Sequence, residues 1–342
     1  MRFLVLGASG RMGNAICRQL SKVGDVRGFD KAAFDWPQRA DPEGKYEDYD
    51  CVVSALPVRE NVCQSAMVAS RGVPWVDLGG SDDVTAQQWL AIKGSRAMAP
   101  VIPNCGLAPG LVPMIGAALA THATPDRHWL KLLCGGISQQ PDGKLGWVRT
   151  WSPQGLVEEY TAIPTVLKSG AVLRALDLPV TEFLWGSIEL EQRQTAGNIG
   201  TLPFVLANDA LCLVDNAEYY TLRHLGHYEL VSRWIDELGP ERAARMVEES
   251  ASPGPDMVLY GAQLYGPAIG ATAVHGIILP TDGMSAMAYA TSAGIAAVAM
   301  MAPEVGHSGF VPVETLDFTR IVRNLKLLGF PVTSFSDLAP HA

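Results

Sequence analysis

The chain has 342 residues, 48% of them hydrophobic and 18% charged, with a formal net charge of -9. That length allows two domains and a substantial core, and the acidic balance excludes the broad basic surface that nucleic acid or an anionic membrane would require, which leaves a small molecule as the expected partner. Six cysteines, at positions 17, 51, 63, 105, 134 and 212, have no paired spacing and read as reduced thiols.

The sequence opens on Met1-Arg2-Phe3-Leu4-Val5-Leu6, a strand pattern rather than a charged and then apolar leader, and a cytoplasmic protein is expected. Further short strands are predicted at Val26 to Phe29, Cys51 to Leu56, Trp75 to Leu78 and Pro100 to Ile102, separated by amphipathic stretches. Met12, Ile16 and Leu20 put one apolar face on the first of these helices. Such alternation predicts parallel βαβ units.

From about residue 129 the period changes to two. Strands are predicted at Trp129 to Cys134, Trp147 to Trp151, Tyr219 to Arg223, Met257 to Leu264 and Ala271 to Ile278, with turns such as Pro141-Asp142-Gly143, and these predict a mixed or antiparallel sheet. A helix is expected at Tyr228 to Leu238. The alanine-rich stretch from Ser285 to Ala302 is expected to be a buried or interface helix, not a membrane span, because alanine contributes little transfer energy. A last amphipathic helix runs from Phe318 to Leu328 and stops at Gly329.

The glycines of Gly7-Ala8-Ser9-Gly10-Arg11-Met12-Gly13 fall between the first strand and the first helix. There they supply a tight turn, close approach of backbone to a pyrophosphate and close helix packing, and the helix N-terminus favours phosphate. Gly7, Ser9, Gly10, Arg11, Met12 and Gly13 are therefore candidate cofactor residues. Asp30 ends the second strand, where a carboxylate accepts from both ribose hydroxyls and repels a 2'-phosphate, so NAD is favoured over NADP. Lys31 beside it and Arg11 in the first loop soften that preference. Ser54, Ala55, Leu56 and Pro57 follow the third strand on the same edge, either against the cofactor or as an ordinary loop.

The expected fold class is thus α/β, an N-terminal Rossmann dinucleotide-binding domain plus a second α+β domain with a mixed or antiparallel sheet. The expected boundaries are 1–125 for the Rossmann domain, 126–284 for a substrate and oligomerisation domain, and 285–342 for C-terminal helices packing back toward the first. The apolar helix and the long sheet both suggest a homo-oligomer, a dimer or higher.

Several segments carry a wider pattern. Val76-Asp77-Leu78-Gly79-Gly80, Pro103-Asn104-Cys105-Gly106-Leu107-Ala108-Pro109-Gly110-Leu111, Cys134-Gly135-Gly136, Gly155-Leu156-Val157-Glu158-Glu159-Tyr160, Thr221-Leu222-Arg223-His224-Leu225-Gly226-His227 and Gly309-Phe310-Val311-Pro312-Val313-Glu314 together resemble the saccharopine dehydrogenase family, most of all its lysine 6-dehydrogenase branch. The resemblance implies exchange of hydride between a nicotinamide and a carbon bearing nitrogen, through an imine. In that branch the terminal amine of lysine is oxidised. Reductive condensation of an amine with a keto acid or aldehyde, or a non-catalytic NAD-binding role, are the alternatives.

Chemistry of this kind needs a proton acceptor, a carboxylate anchor and a dry face for the nicotinamide. Cys105, in a glycine-flanked turn after the last Rossmann strand, is either in contact with substrate or cofactor or an inert buried thiol. Arg149 or Arg223 pairs with a substrate carboxylate or forms a surface ion pair. Glu158 or Glu159 could receive an amine, with Glu159 preferred and Tyr160 shaping the pocket, and His227 is either a second candidate proton acceptor or a structural hydrogen-bonding residue. Asp77 either orients water or a loop amide, or caps a strand end. No metal is expected, because His224 and His227 lack a third ligand.

Overall fold

A computed structural model describes residues 1–31, 46–123, 128–141, 145–209, 212–267 and 270–338. In chain order the elements are β1 (Arg2–Leu6), α1 (Arg11–Leu20), β2 (Asp25–Phe29), β3 (Cys51–Ser54), α2 (Asn61–Ser70), β4 (Trp75–Asp77), α3 (Asp82–Gly94), β5 (Pro100–Ile102) and α4 (Leu111–Ala120). There follow β6 (His128–Ser138), α5 (Pro153–Thr161), β7 (Thr165–Lys168), β8 (Ala171–Arg174), β9 (Thr181–Trp185), β10 (Ile188–Gln194), α6 (Leu202–Asn208) and β11 (Val214–His224). The chain then forms α7 (His227–Leu238), α8 (Pro240–Glu249), β12 (Asp256–Gly266), β13 (Gly270–Ile278), α9 (Ala286–Ala299), β14 (Gly309–Phe310) and α10 (Phe318–Leu327). It divides into two compact units, Met1–Ala118 with Gly200–Val205 and Ala290–Ala342, and Leu119–Ile199 with Leu206–Tyr289.

The first unit is built on a six-stranded sheet in the order β14-β5-β4-β3-β1-β2, every pair of it parallel. Its strands are short and almost continuously apolar because helices cover them. Leu4, Leu6, Val52, Trp75 and Val101 meet Val68 and Ala69 of α2 and Ile92 of α3 in one buried cluster. Strand order reverses between β1 and β3, and in open parallel sheets such a switch point is where a ligand crevice opens at the carboxyl ends of the strands. The α/β class and the Rossmann-like sheet expected from the sequence are both present. The final strand, β14, adds to β5 at the sheet edge, a pairing of two residues too short to leave a pattern in the sequence.

The second unit holds an eight-stranded mixed sheet ordered β13-β12-β6-β11-β10-β9, with β7 pairing β11 and β8. Only β6 and β11 run parallel among these pairs. Leu156, Val157 and Tyr160 of α5, Tyr228, Val231 and Trp234 of α7, and Ala243 and Val247 of α8 bury one another together with Trp147. The opposite set of alternating sheet residues, Leu133, Ile137, Leu190, Leu222 and Leu259 with Trp185, forms a separate apolar cluster. Laid flat, six strands would put the ends of this sheet about 24 Å apart. Yet the rings of Trp185 on β9 and His275 on β13 are 4.8 Å apart, so the sheet curls and this cluster lines its concave side.

One predicted strand does not form. Trp147 to Trp151 is irregular chain, because Trp147 is buried against the helices, Trp151 meets it edge-on, and Ser152 already caps α5 with Pro153 in its first turn. The alternation there records burial in a helical cluster and not a pleat. Of the predicted turn at Pro141, Asp142 and Gly143 lie outside the described residues. The helix from Ala286 to Glu304 is long and apolar enough to cross a membrane, and 78% of its most apolar window is buried within the protein, as in a core helix.

Candidate active site

In the first unit the loop after β1 is tied to the end of β2, since the Gly7 and Ala8 amides both donate to the Phe29 carbonyl. Gly7 has φ +77°, and a Cβ there would stand 2.8 Å from the Ala55 oxygen. The loop after β1 and the loop Ser54–Pro57 are therefore pressed together at the switch point, which only a glycine at position 7 permits. At Gly13 a side chain would collide with the Gly7 carbonyl, so α1 packs backbone to backbone on the loop. Gly10 caps α1 without any side-chain acceptor, leaving the helix N-terminus as a site for an anion.

Asp30 sits where the sequence puts it, at the end of β2, and its Oδ2 accepts from the Ser9 amide at 3.1 Å and from Ser9 Oγ at 2.6 Å. Lys31 pairs with Glu60 at 4.0 Å on the surface. Ser54 Oγ donates to Asn61 and accepts from the Leu56 amide, which fixes the second loop. This cradle of glycines, bare helix N-terminus and strand-end carboxylate fits the pyrophosphate and ribose of a dinucleotide.

Asp77 is fully buried at the end of β4. Its carboxylate accepts from Trp75 Nε1 and Gln88 Nε2, both at 2.8 Å, and from the Gly79 amide at 2.9 Å. It therefore holds a loop amide, one of the roles the sequence offered. Cys105 is buried as well, with its thiol donating to the Ile102 carbonyl at 3.0 Å. Burial, and then the Asp77 charge, push the thiol well above its ordinary value, so this geometry supports the inert reading.

The second unit gathers four of the named residues. In α5 the side chains of Leu156, Val157 and Tyr160 are buried while Glu158 is exposed, and Glu159 lies between, with 16% of its side chain accessible. Its Oε2 is enclosed without a hydrogen-bond partner and stands 4.0 Å from Arg223 of β11. Asn198 donates to the same carboxylate. Burial outweighs the Arg223 charge and this hydrogen bond, and lifts Glu159 to about 7.

Arg223 is 3% exposed and is held by Nε donating to Tyr160 Oη at 2.9 Å and by a guanidinium N–H donating to the Leu222 carbonyl at 3.1 Å. The His227 ring is placed by two bonds. Its Nδ1 lies 2.9 Å from the Leu145 carbonyl and its Nε2 2.9 Å from Tyr160 Oη. A carbonyl only accepts, so Nδ1 carries the proton in the neutral ring, and Tyr160 must donate to Nε2 while accepting from Arg223. Burial and then Arg223 lower His227 to about 3, which disfavours the protonated ring.

Arg149 does not join this group. It pairs with Glu248 of α8 at 2.6 Å with 55% of its side chain exposed, the surface ion pair that the sequence left open.

Two supporting residues went unnoticed in the sequence, and a third was seen there only as part of a motif. Glu191 accepts from the Gly226 and Tyr228 amides at 3.0 and 2.6 Å, which pins the start of α7 where His227 sits. Asn198 is oriented by Thr195 and the Ala196 carbonyl, in a stretch with no periodicity to mark it. In the first unit, Glu314 accepts from the Thr201 amide at 3.0 Å and Thr201 Oγ1 at 2.5 Å. Gly200 beside it has a φ of +64°, a conformation that favours glycine.

No family model matches the chain. Among solved structures it is similar to saccharopine dehydrogenase (L-Glu forming) from Saccharomyces cerevisiae, with a TM-score of 0.64 at 14% identity over 95% of this chain and 96% of that one. It is also similar to homospermidine synthase from Legionella pneumophila in complex with NAD, with 0.62 at 12% identity over 96% and 90%. A third is the C. glutamicum DAP dehydrogenase in complex with DAP, with 0.51 at 13% identity over 94% and 95%. At these identities the likeness establishes the fold: a Rossmann-like unit and a mixed-sheet unit along nearly the whole chain.

Proposed function

We propose that the protein is a nicotinamide-dependent oxidoreductase acting on a carbon–nitrogen bond of an amino acid, with the terminal amine of L-lysine as the first substrate to test. The observation that carries this reading is the Glu159–Arg223 pair, an enclosed carboxylate with a titration point near neutrality facing a buried guanidinium across 4.0 Å. A base matched to neutral pH and a fixed cation are what amine oxidation in an amino acid requires. Glu159 takes the proton of the substrate ammonium, freeing the nitrogen lone pair. Arg223 binds carboxylate, and Tyr160, locked between Arg223 and His227, keeps the guanidinium plane in place.

Gly7, Gly10, Gly13, Ser9 and Asp30 would hold the dinucleotide, which when bound accepts hydride from the carbon bearing the amine. The strand-end carboxylate of Asp30 supports NAD over NADP. The resulting imine is open to water and yields a carbonyl and ammonia. The named solved relatives that act on amino acids and amines support the same class, as do the segments that resemble lysine 6-dehydrogenases.

The test is NAD reduction followed by absorbance with L-lysine, ornithine, other diamines and a panel of α-amino acids. Reduction by lysine or a related amino acid supports the proposal. Tight dinucleotide binding with silence across the panel overturns it. We further propose a homo-oligomer, supported by exposed Leu173, Leu176, Leu184, Ile277 and Leu279 in the second unit. Light scattering is expected to give at least twice the chain mass, and a clean monomer at micromolar concentration refutes it.

A further inference from the structure

A second set of reactive groups lies on the other side of the sheet from Arg223. Along β11, Tyr219, Thr221 and Arg223 face one way and Glu218, Tyr220 and Leu222 the other, and Lys131 of β6 pairs in register with Glu218. Lys131 is only 9% exposed, although it carries an amine. Its Nζ stands 4.8 Å from the centre of the Tyr220 ring and 5.0 Å from that of Phe183 on β9. Among the described residues it has no hydrogen-bond acceptor, and the rings are its nearest polar support.

The surrounding groups are those that amine chemistry uses. Tyr220 Oη donates to Glu218 Oε2 at 3.0 Å and accepts from Gln194 Nε2 at 3.1 Å, a hydroxyl and carboxylate joined beside the amine. The floor is apolar, made by Leu133 and Leu222. Burial lowers Lys131 below the usual lysine value, although the Glu218 charge and the two ring faces work against this. Lysines in such surroundings expose more of the neutral, nucleophilic amine.

We propose that Lys131 is a reactive amine that condenses with short, uncharged aldehydes to form an imine. The Nζ lone pair attacks the carbonyl carbon and the carbonyl oxygen takes a proton, giving a carbinolamine. The nitrogen then loses its remaining proton as the hydroxyl leaves as water, so one amine and one aldehyde give one imine and one water with no redox change. Tyr220 and Glu218 relay those protons. The aromatic walls favour an alkyl chain, while Glu218 repels a carbonyl compound that carries a carboxylate. This site is independent of the dehydrogenase reading, since none of its residues belongs to the Glu159 cluster.

The experiment is reductive trapping of the full chain with propanal and sodium cyanoborohydride, followed by peptide mass mapping. Lys131 is expected to gain the propyl group several-fold faster than exposed Lys93 and Lys168. Tyr220→Phe is expected to slow labelling at Lys131 several-fold and leave Lys93 unchanged. Lys131→Arg, which keeps a cation over the rings, serves as the folded control, and trapping at the other lysines must continue in it. Labelling of Lys131 no faster than of Lys93, or a Tyr220→Phe rate equal to that of the unaltered chain, overturns the proposal.

Discussion

Glu159→Gln is expected to make the protein more stable and less active at once. The carboxylate is raised from 4.5 to about 7 by burial, against the pull of Arg223 and Asn198. Between those values the unfolded chain has released its proton and the folded chain still holds it. Stability therefore falls as pH rises through this window, and the full penalty is present above pH 7. At 1.36 kcal/mol per unit the penalty is about 3 kcal/mol, and a neutral amide of the same shape does not incur it. The variant and the unaltered protein should have similar stability at pH 4.5 and diverge by up to about 3 kcal/mol at pH 8. Urea unfolding at a series of pH values, followed by the fluorescence of Trp147 and Trp234 in the adjoining helical cluster, reads this directly. Turnover should fall by about two to four orders of magnitude, the usual contribution of a positioned base. A stability gap that does not change with pH, or a variant with near-normal turnover, would refute the assignment of Glu159 as a buried base.

Arg223→Lys retains the charge but loses the Nε bond to Tyr160 and the planar fork, so KM for the amino acid should rise by about tenfold or more while the Kd for NAD, measured by calorimetry, stays the same. Asp30→Asn keeps an acceptor for Ser9 but removes the charge that repels a 2'-phosphate, and the ratio of NADP to NAD affinity should rise by roughly tenfold, again by calorimetry. Thr201→Val removes a donor to the buried Glu314, which burial raises to about 6. The loss should be about 1–3 kcal/mol above pH 7, where the carboxylate is charged, and smaller at pH 5, a difference that thermal melts at the two values will show.

Much of the first unit was legible because its signals are local. A glycine required by the Ala55 carbonyl, a carboxylate at the end of β2 and apolar runs of strand length are all written in consecutive residues. Glu159 and Arg223 were also legible, through the motifs that carry them. What they do was harder to read, because the roles of His227 and Glu159 depend on burial and on Arg223, none of which has a sequence period. His227, the residue type that most often moves protons, is depressed to about 3, while the glutamate is raised into the useful range. Arg149 and Arg223 looked equivalent as residues, and what separates them is one pairing with Glu248 at the surface. Trp147 to Trp151 misled because alternating large side chains look the same whether they face a pleat or a helical cluster.

The chain passes between its two units four times, at 118/119, 199/200, 205/206 and 289/290. The third and second of these passages bracket Gly200–Val205, the stretch that Glu314 holds by its Thr201 contacts. Neither unit is therefore a continuous length of polypeptide, and no single cut yields one of them whole. A ribosome that has released the first 118 residues has made five of the six strands of the parallel sheet, but β14 and the carboxylate that secures Thr201 follow the whole of the mixed sheet. The parallel sheet is therefore begun before the mixed sheet and completed only after it.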